Sequence, residues 1–143
     1  MKKYLNIKLP THLENNFVPY DVLILEDDEN RIDGFTKIFA EVGANVIWVD
    51  TAQECINTLQ HKKFDIIFLD HDLGGQVFIN CMEKNTGSEV ARWINNNPLD
   101  ENTLVIIHSA NTVGSDYMNH MIFKSHKIPF AWATGIGKIK YKI

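Results

Sequence analysis

The sequence predicts one three-layer α/β domain, a doubly wound parallel sheet with helices on both faces, preceded by a short extension. Three observations carry this reading. Nearly continuous apolar runs recur along the chain, each ending in a polar residue, as strands buried on both faces of a parallel sheet require. Helical periodicity fills the intervals, and β-α alternation implies helices on both sides with right-handed crossovers. The length of 143 residues suits one domain and suffices to bury a core without staples.

Residues 1–20 read as an extension and residues 21–143 as the domain. Asp21–Leu25 (DVLIL) is the first strand and ends in Glu26-Asp27-Asp28. Arg31–Val42 places Ile32, Phe35, Ile38, Phe39 and Val42 at helical spacing, with Gly43 as a stop. Asn45–Val49 (NVIWV), ending in Asp50, is a weaker strand. Thr51 predicts an N-cap, with Glu54 completing a capping box, for a helix burying Cys55, Ile56 and Leu59. Phe64–Leu69 (FDIIFL) ends in Asp70-His71-Asp72. Thr86-Gly87-Ser88 opens a third helix, with Val90, Trp93 and Ile94 on one face and Asn97-Pro98 at its end. Leu104–Ile107 (LVII) ends in His108-Ser109, and Ser115–Phe123 reads as a fourth helix with Tyr117, Met118, Met121 and Ile122 facing inward. A last strand near Ile128–Ala133 closes the series. Trp48, Trp93 and Trp132 fall inside these patterns and read as core. Gly74–Asn85 is an unusually long connection, which is either a lid over the site or a disordered insertion.

Composition narrows the function. No stretch approaches the roughly 18 apolar residues of a membrane helix, and no apolar run follows the basic Met1-Lys2-Lys3, so no secretory signal is read. Cys55 and Cys81 lack metal-ligand spacing and read as free thiols in a reducing cytoplasm. A net charge of −4 argues against broad nucleic-acid binding, while leaving room for a small phosphorylated ligand or an RNA end. Oligomeric state is not encoded in any pattern.

In open parallel sheets, ligands bind beyond the carboxyl ends of the strands, where strand order reverses. Glu26, Asp27 and Asp28 stand at one such end, Asp70, His71 and Asp72 at another, His108 and Ser109 at a third. Carboxylates gathered in a partly buried crevice need compensation, and a hard divalent cation supplies it. Asp27 with Asp70 is the favoured metal pair, with Mg²⁺ as first expectation and Mn²⁺ as second; Asp28 alone reads better as a helix-start acid. His71 and His108 each directly follow a buried strand. In one crevice, two imidazoles serve either as general acid and base in phosphoester chemistry or as metal ligands. Alternation is an obstacle: Asp70 and His71 point to opposite sides unless the chain has already left the strand, and so do His108 and Ser109. His12, His61, His120 and His126 carry no pattern.

Gly74-Gly75 either admits a ligand to the backbone or forms a turn. Asn111 and Gly114 either present an amide and backbone N–H groups to a phosphate or do routine cap chemistry. Arg31 either grips a phosphate bidentately or pairs with a neighbouring carboxylate. Arg92, mid-helix, reads as solvated or ion-paired.

These residues resemble a two-component receiver domain over about residues 21–133. Leu23-Ile24-Leu25-Glu26-Asp27-Asp28-Glu29 is similar to its first strand and acidic pocket, and Phe64–Asp70 to the strand ending in the phospho-accepting aspartate. Thr86-Gly87-Ser88-Glu89-Val90 resembles its glycine-led helix, and Val105–Ala110 its strand ending in Ser/Thr-Ala. The resemblance implies a flavodoxin-like five-stranded sheet of order 2-1-3-4-5. It makes Glu26 and Asp27 metal-binding and Asp70 the acceptor, with Asp72 lending a backbone carbonyl to the metal and Ser109 sensing a phosphoryl group. Three departures stand out. Ile128–Thr134 lacks the lysine-proline pair, Lys138 arriving late; histidines occupy 71 and 108; and no DNA-binding or other output domain is expected.

The departures are similar to the cyclic-phosphate processing receiver family. That resemblance rests on Glu26-Asp27-Asp28 with Arg31, on Leu69-Asp70-His71-Asp72-Leu73-Gly74-Gly75, on Thr86-Gly87, and on His108-Ser109 with Asn111 and Gly114. It implies a metal-dependent phosphoesterase acting on a cyclic phosphate of RNA ends or nucleotides. His71, His108 and Asp70 would be catalytic, Glu26, Asp27, Asp70 and Asp72 metal-binding, and Arg31, Ser109, Asn111, Gly74 and Gly75 would hold the substrate. Two rivals remain: a stand-alone receiver phosphorylated on Asp70, and a nucleotide-binding protein without turnover.

Overall fold

The apolar runs form five parallel strands in the order β2-β1-β3-β4-β5. They are β1 (Asp21–Leu25), β2 (Asn45–Val49), β3 (Ile66–Leu69), β4 (Leu104–Ile107) and β5 (His126–Lys127). The structure, a computed structural model, describes residues 21–41, 44–75 and 77–128. The expected extension over residues 1–20, the helix stop at Gly43, and Pro129 onward with Trp132 and Lys138 lie outside the described residues. Between the strands run α1 (Glu29–Glu41), α2 (Ala52–His61), α3 (Gly87–Asn96) and α4 (Thr112–Met121).

Side chains alternate across the sheet and build two cores. Val22, Ile24, Ile66, Phe68, Leu104 and Ile106 face Ile32, Phe35 and Phe39 of α1. Leu23, Leu25, Ile67, Leu69, Val105 and Ile107 face α2, α3 and α4 through Cys55, Val90, Ile94 and Met118. Phe35 and Phe68 stack at 4.7 Å between ring centroids; burying a side chain of this size stabilises by about 1.5–3 kcal/mol. Thr51 and Thr86 cap α2 and α3, accepting hydrogen bonds from the Glu54 and Glu89 amides.

Four local expectations are revised. Helix α4 starts three residues before Ser115, because Asn111 is its N-cap and accepts from the Gly114 amide. Strand β5 begins two residues before Ile128, where His126 and Lys127 register with Ile106 and Ile107. Trp48 is 42 % exposed rather than core: β2 is an edge strand, and the Trp48 indole donates to the Glu26 carbonyl at 2.5 Å. Arg92 stays half-exposed, but it is anchored by donating to the carbonyls of Cys81 and Glu83. Among the described residues, no helix is long and apolar enough to cross a membrane.

Candidate functional site

The site grows out of strand register. The parallel ladder runs one residue beyond the strands, with Glu26 N–H donating to Val49, Asp70 N–H to Leu25 and His108 N–H to Leu69. Glu26, Asp70 and His108 are therefore neighbours in one row across β1, β3 and β4. Leu25, Leu69 and Ile107 face α2–α4, so the next residue of each strand turns to the α1 side. There the three offer ligand atoms that lie within 4.8 Å of one another, and all three are buried.

Charge in this row is arranged by its partners. Glu26 takes the Asp27 and Asp28 amides on one oxygen. Its other oxygen meets His108 Nε2 at 3.1 Å and Arg31 at 3.3 Å. Burial works against the Glu26 charge, but the His108 hydrogen bond and its other partners outweigh it and hold the group down at about 2. Asp70 goes the other way: burial, then the Glu26 charge, push it up to about 8, against the opposing pull of Arg31, whose guanidinium is 3.8 Å away. Two carboxyls in one buried row disfavour double ionisation, and burial with the Glu26 charge directs the upward shift to Asp70. Burial lowers the His108 pKa against the pull of Glu26, and its Nε2 faces the Glu26 carboxylate. Its edge packs on Phe35 at 5.2 Å between centroids.

The row lies beside an open cavity of about 300 Å³, lined by Asp27, Asp28, Asp70, Asp72, Arg31, Ser109 and Asn111, with Gly75, Val77 and Phe78 at its rim. Asp27 stands outside the tight row, and its carboxylate accepts from the Gly75 amide at 2.7 Å. Its pKa is raised, first by burial and then by the Glu26 charge. Gly74 and Gly75 form a turn at φ +71° and +74°, a backbone that glycine adopts without strain.

The two histidines do not share a crevice. One residue past Asp70, His71 turns to the opposite face of the sheet, where it is fully buried between α3 and α4. Its Nδ1 lies 2.8 Å from Asp72 Oδ1 and its Nε2 2.8 Å from Ser88 Oγ. Small residues make this place: a Cβ on Gly114 would come within 2.4 Å of the imidazole, and one on Gly87 within 2.0 Å of the Asp70 carbonyl oxygen. Ser88, His71 and Asp72 follow the order of a nucleophile-base-acid relay, but Ser88 is fully buried, so the relay orients and does not attack.

What it orients is Asp72, whose carboxylate accepts from the Phe78 and Ile79 amides and from Asn111 Nδ2. These donors, with His71, lower its pKa against the effect of burial. Asn111 also donates to the Ile79 carbonyl. The long connection is thus a strap tied across the cavity, and Phe78 within it adopts φ +54°, at a cost of about 1–3 kcal/mol for a bulky residue. Ser109 Oγ accepts from the Asn111 amide. Sequence reasoning missed Ser88, Phe78 and the tying role of Asn111; the Asn-x-x-Gly spacing of an N-cap was the one available signal.

Known proteins agree with this architecture. The chain is similar to a CheY-like response regulator receiver domain from Methanospirillum hungatei, with a TM-score of 0.64, 19% identity, and 87% of this chain and 94% of that chain covered. The phosphorylated cyanobacterial phytochrome response regulator RcpA gives 0.64, 18%, 87% and 91% in the same measures. Response regulator TrrA from Thermotoga maritima, in complex with Mg²⁺-BeF, gives 0.58, 17%, 76% and 85%. These identities speak to the fold. The sequence matches no curated protein. The family model of the cyclic-phosphate processing receiver domain matches residues 22–124, a span that holds every strand end of the acid-histidine row. On that match the chain belongs to the cyclic-phosphate processing receiver domains.

Proposed function

We propose that the domain is a metal-dependent phosphoesterase that opens a cyclic phosphate on a nucleotide or an RNA end. The observation that carries this reading is the buried row of Glu26, Asp70 and His108 beside a cavity with Arg31 in its wall. The donor set fits a divalent cation, because the buried Glu26, Asp70 and His108 offer ligand atoms within 4.8 Å of one another. Mg²⁺ is the first choice and Mn²⁺ the second, held by Asp70 with Glu26 or Asp27 and by the Asp72 backbone carbonyl. The Mg²⁺ in the TrrA complex supports that choice. Such a cation supplies charge neutralisation at the phosphate.

This chain's own residues do the rest. Arg31 orients the phosphate through its planar fork, and Ser109 meets it from the β4 end. Asp70 lines the cavity and is the group that would meet the cation or the reacting oxygens, while buried His108 acts through its bond to Glu26. His71, with both ring nitrogens engaged inside the protein, is a positioning residue acting through Asp72, and Gly74, Gly75 and Asn111 shape the cavity rim. The free thiols Cys55 and Cys81 support a reducing, cytoplasmic setting. Incubation of purified protein with 2′,3′-cyclic nucleotides and RNA bearing a cyclic-phosphate end, with Mg²⁺ or Mn²⁺, tests the proposal. Ring opening is expected, and untouched substrates overturn it.

A second reading, a stand-alone receiver phosphorylated on Asp70, is favoured by one observation: Asp70 and Ser109 line the same cavity. An acid-labile adduct formed from a small phosphodonor, and lost in Asp70→Asn, would select it. Tight nucleotide binding without turnover would select a sequestering protein instead.

A further inference from the structure

The strap across the cavity carries two apolar side chains held in the open. Val77 is 75 % and Phe78 78 % exposed, and both line the cavity that contains Asp70 and Arg31. A large apolar side chain is ordinarily stabilised by burial. Here the backbone is held against its preference, at φ +54°, in a turn that keeps the phenylalanine at the cavity mouth.

The hold is not local. The Phe78 amide donates to Asp72 Oδ2 at 2.6 Å. The same carboxylate is fixed by His71 and Asn111, and His71 in turn meets Ser88 on α3. Bonds from both flanking helices therefore converge on the turn that bears Phe78. A second set, Gly75 to Asp27 and Arg92 to Cys81, ties the strap on either side.

We propose that Phe78 is a stacking platform for the base of a nucleotide whose phosphate lies against Arg31 and Asp70, an assignment that rests on the phosphate site proposed above. Three features choose a nucleobase. An aromatic face and an arginine share one cavity, matching a ligand with a flat apolar part and an anionic part. The volume of about 300 Å³ is at the small end of ligand pockets, which suits one nucleotide and not a strand or helix of a partner protein. The backbone that carries the ring is already fixed by the Phe78 amide bond to Asp72, so ordering that backbone costs little on binding. Every base has a π-face, so the platform would favour nucleotides over other phosphates without choosing among bases.

Calorimetric titration of wild type, Phe78→Ala and Phe78→Tyr in Mg²⁺ tests this, with adenosine 3′-monophosphate and base-free glycerol phosphate as probes. Wild type is expected to prefer the nucleotide. Phe78→Ala should bind it about tenfold more weakly, shrinking its advantage over glycerol phosphate by the same factor, and Phe78→Tyr should restore it. A wild type that does not prefer the nucleotide, or an alanine variant that keeps the full preference, overturns the proposal. Phe78-dependent nucleotide binding without turnover of any cyclic phosphate supports the platform while refuting the hydrolase reading. A titration with RNA carrying a 3′-phosphate end, weakened to the same degree by Phe78→Ala, would extend the platform to a terminal residue.

Discussion

His71 Nδ1 lies 2.8 Å from Asp72 Oδ1, and that bond reaches across the sheet to set the strap over the cavity. Replacing His71 with leucine removes one donor from Asp72 and leaves the buried Ser88 hydroxyl without its ring partner. A hydrogen bond to a charged group contributes about 1.5–3 kcal/mol, so denaturant unfolding should show a loss of that order. Amide exchange should accelerate at Phe78 and Ile79 more than along β1 or β3. Kinetically, KM for a nucleotide should rise more than kcat falls, and the pH profile should keep its shape, because His71 positions and does not carry the proton.

Asp70 yields a pH dependence of definite sign. Its folded pKa, about 8, lies above its unfolded value of about 3.9. Between those limits the folded state binds more protons than the unfolded state, so stability falls as pH rises. Asp70→Asn removes that loss. Its Tm should exceed that of wild type at pH 8 and converge with it near pH 4. Adding Mg²⁺ should stabilise wild type at pH 8 and leave Asp70→Asn nearly unchanged, as thermal scans would show.

Glu26 contributes at the opposite end. Its folded pKa, about 2, is below the unfolded value of about 4.3, so the stability it adds is present above the unfolded pKa and lost as pH falls towards the folded one. Glu26→Gln should therefore flatten the acid limb of a Tm-against-pH curve between about pH 4 and pH 2. It should also destabilise at neutral pH by about 1–3 kcal/mol, since His108 and Arg31 lose a charged partner. With the Glu26 charge gone, the Asp70 titration should move down.

Two glycines separate packing from conformation. Gly114→Ala would press a methyl into the His71 ring, 2.4 Å away, and should cost about 1–3 kcal/mol or more. Gly75→Ala meets nothing within 4 Å, but its φ of +74° is strained for alanine, which predicts a smaller loss of about 1–2 kcal/mol. Urea denaturation of both variants would order them.

The sheet is legible because buried parallel strands need continuous apolar runs, and β1, β3 and β4 have them: DVLIL, IIFL and LVII. Thr51 and Thr86 mark helix starts for an equally local reason. The acid row is legible too, since each member directly follows such a run. The place of His71 is not. It depends on Ser88 and on the absence of a side chain at Gly114, both far along the chain, and on an alternation that sends it away from Asp70. Trp48 misleads because a run in an edge strand looks like one in a central strand. The aim of Phe78 depends on Asp72 gripping amides six and seven residues ahead, which no periodicity records.

The row of Glu26, Asp70 and His108 is proposed to serve the opening of a cyclic phosphate. ³¹P NMR of a 2′,3′-cyclic nucleotide mixed with the protein and Mg²⁺ or Mn²⁺ tests it most directly. The cyclic resonance should be replaced by that of a monoester with wild type, and should persist with Asp70→Asn. A cyclic resonance that persists with wild type in both metals would contradict that proposal.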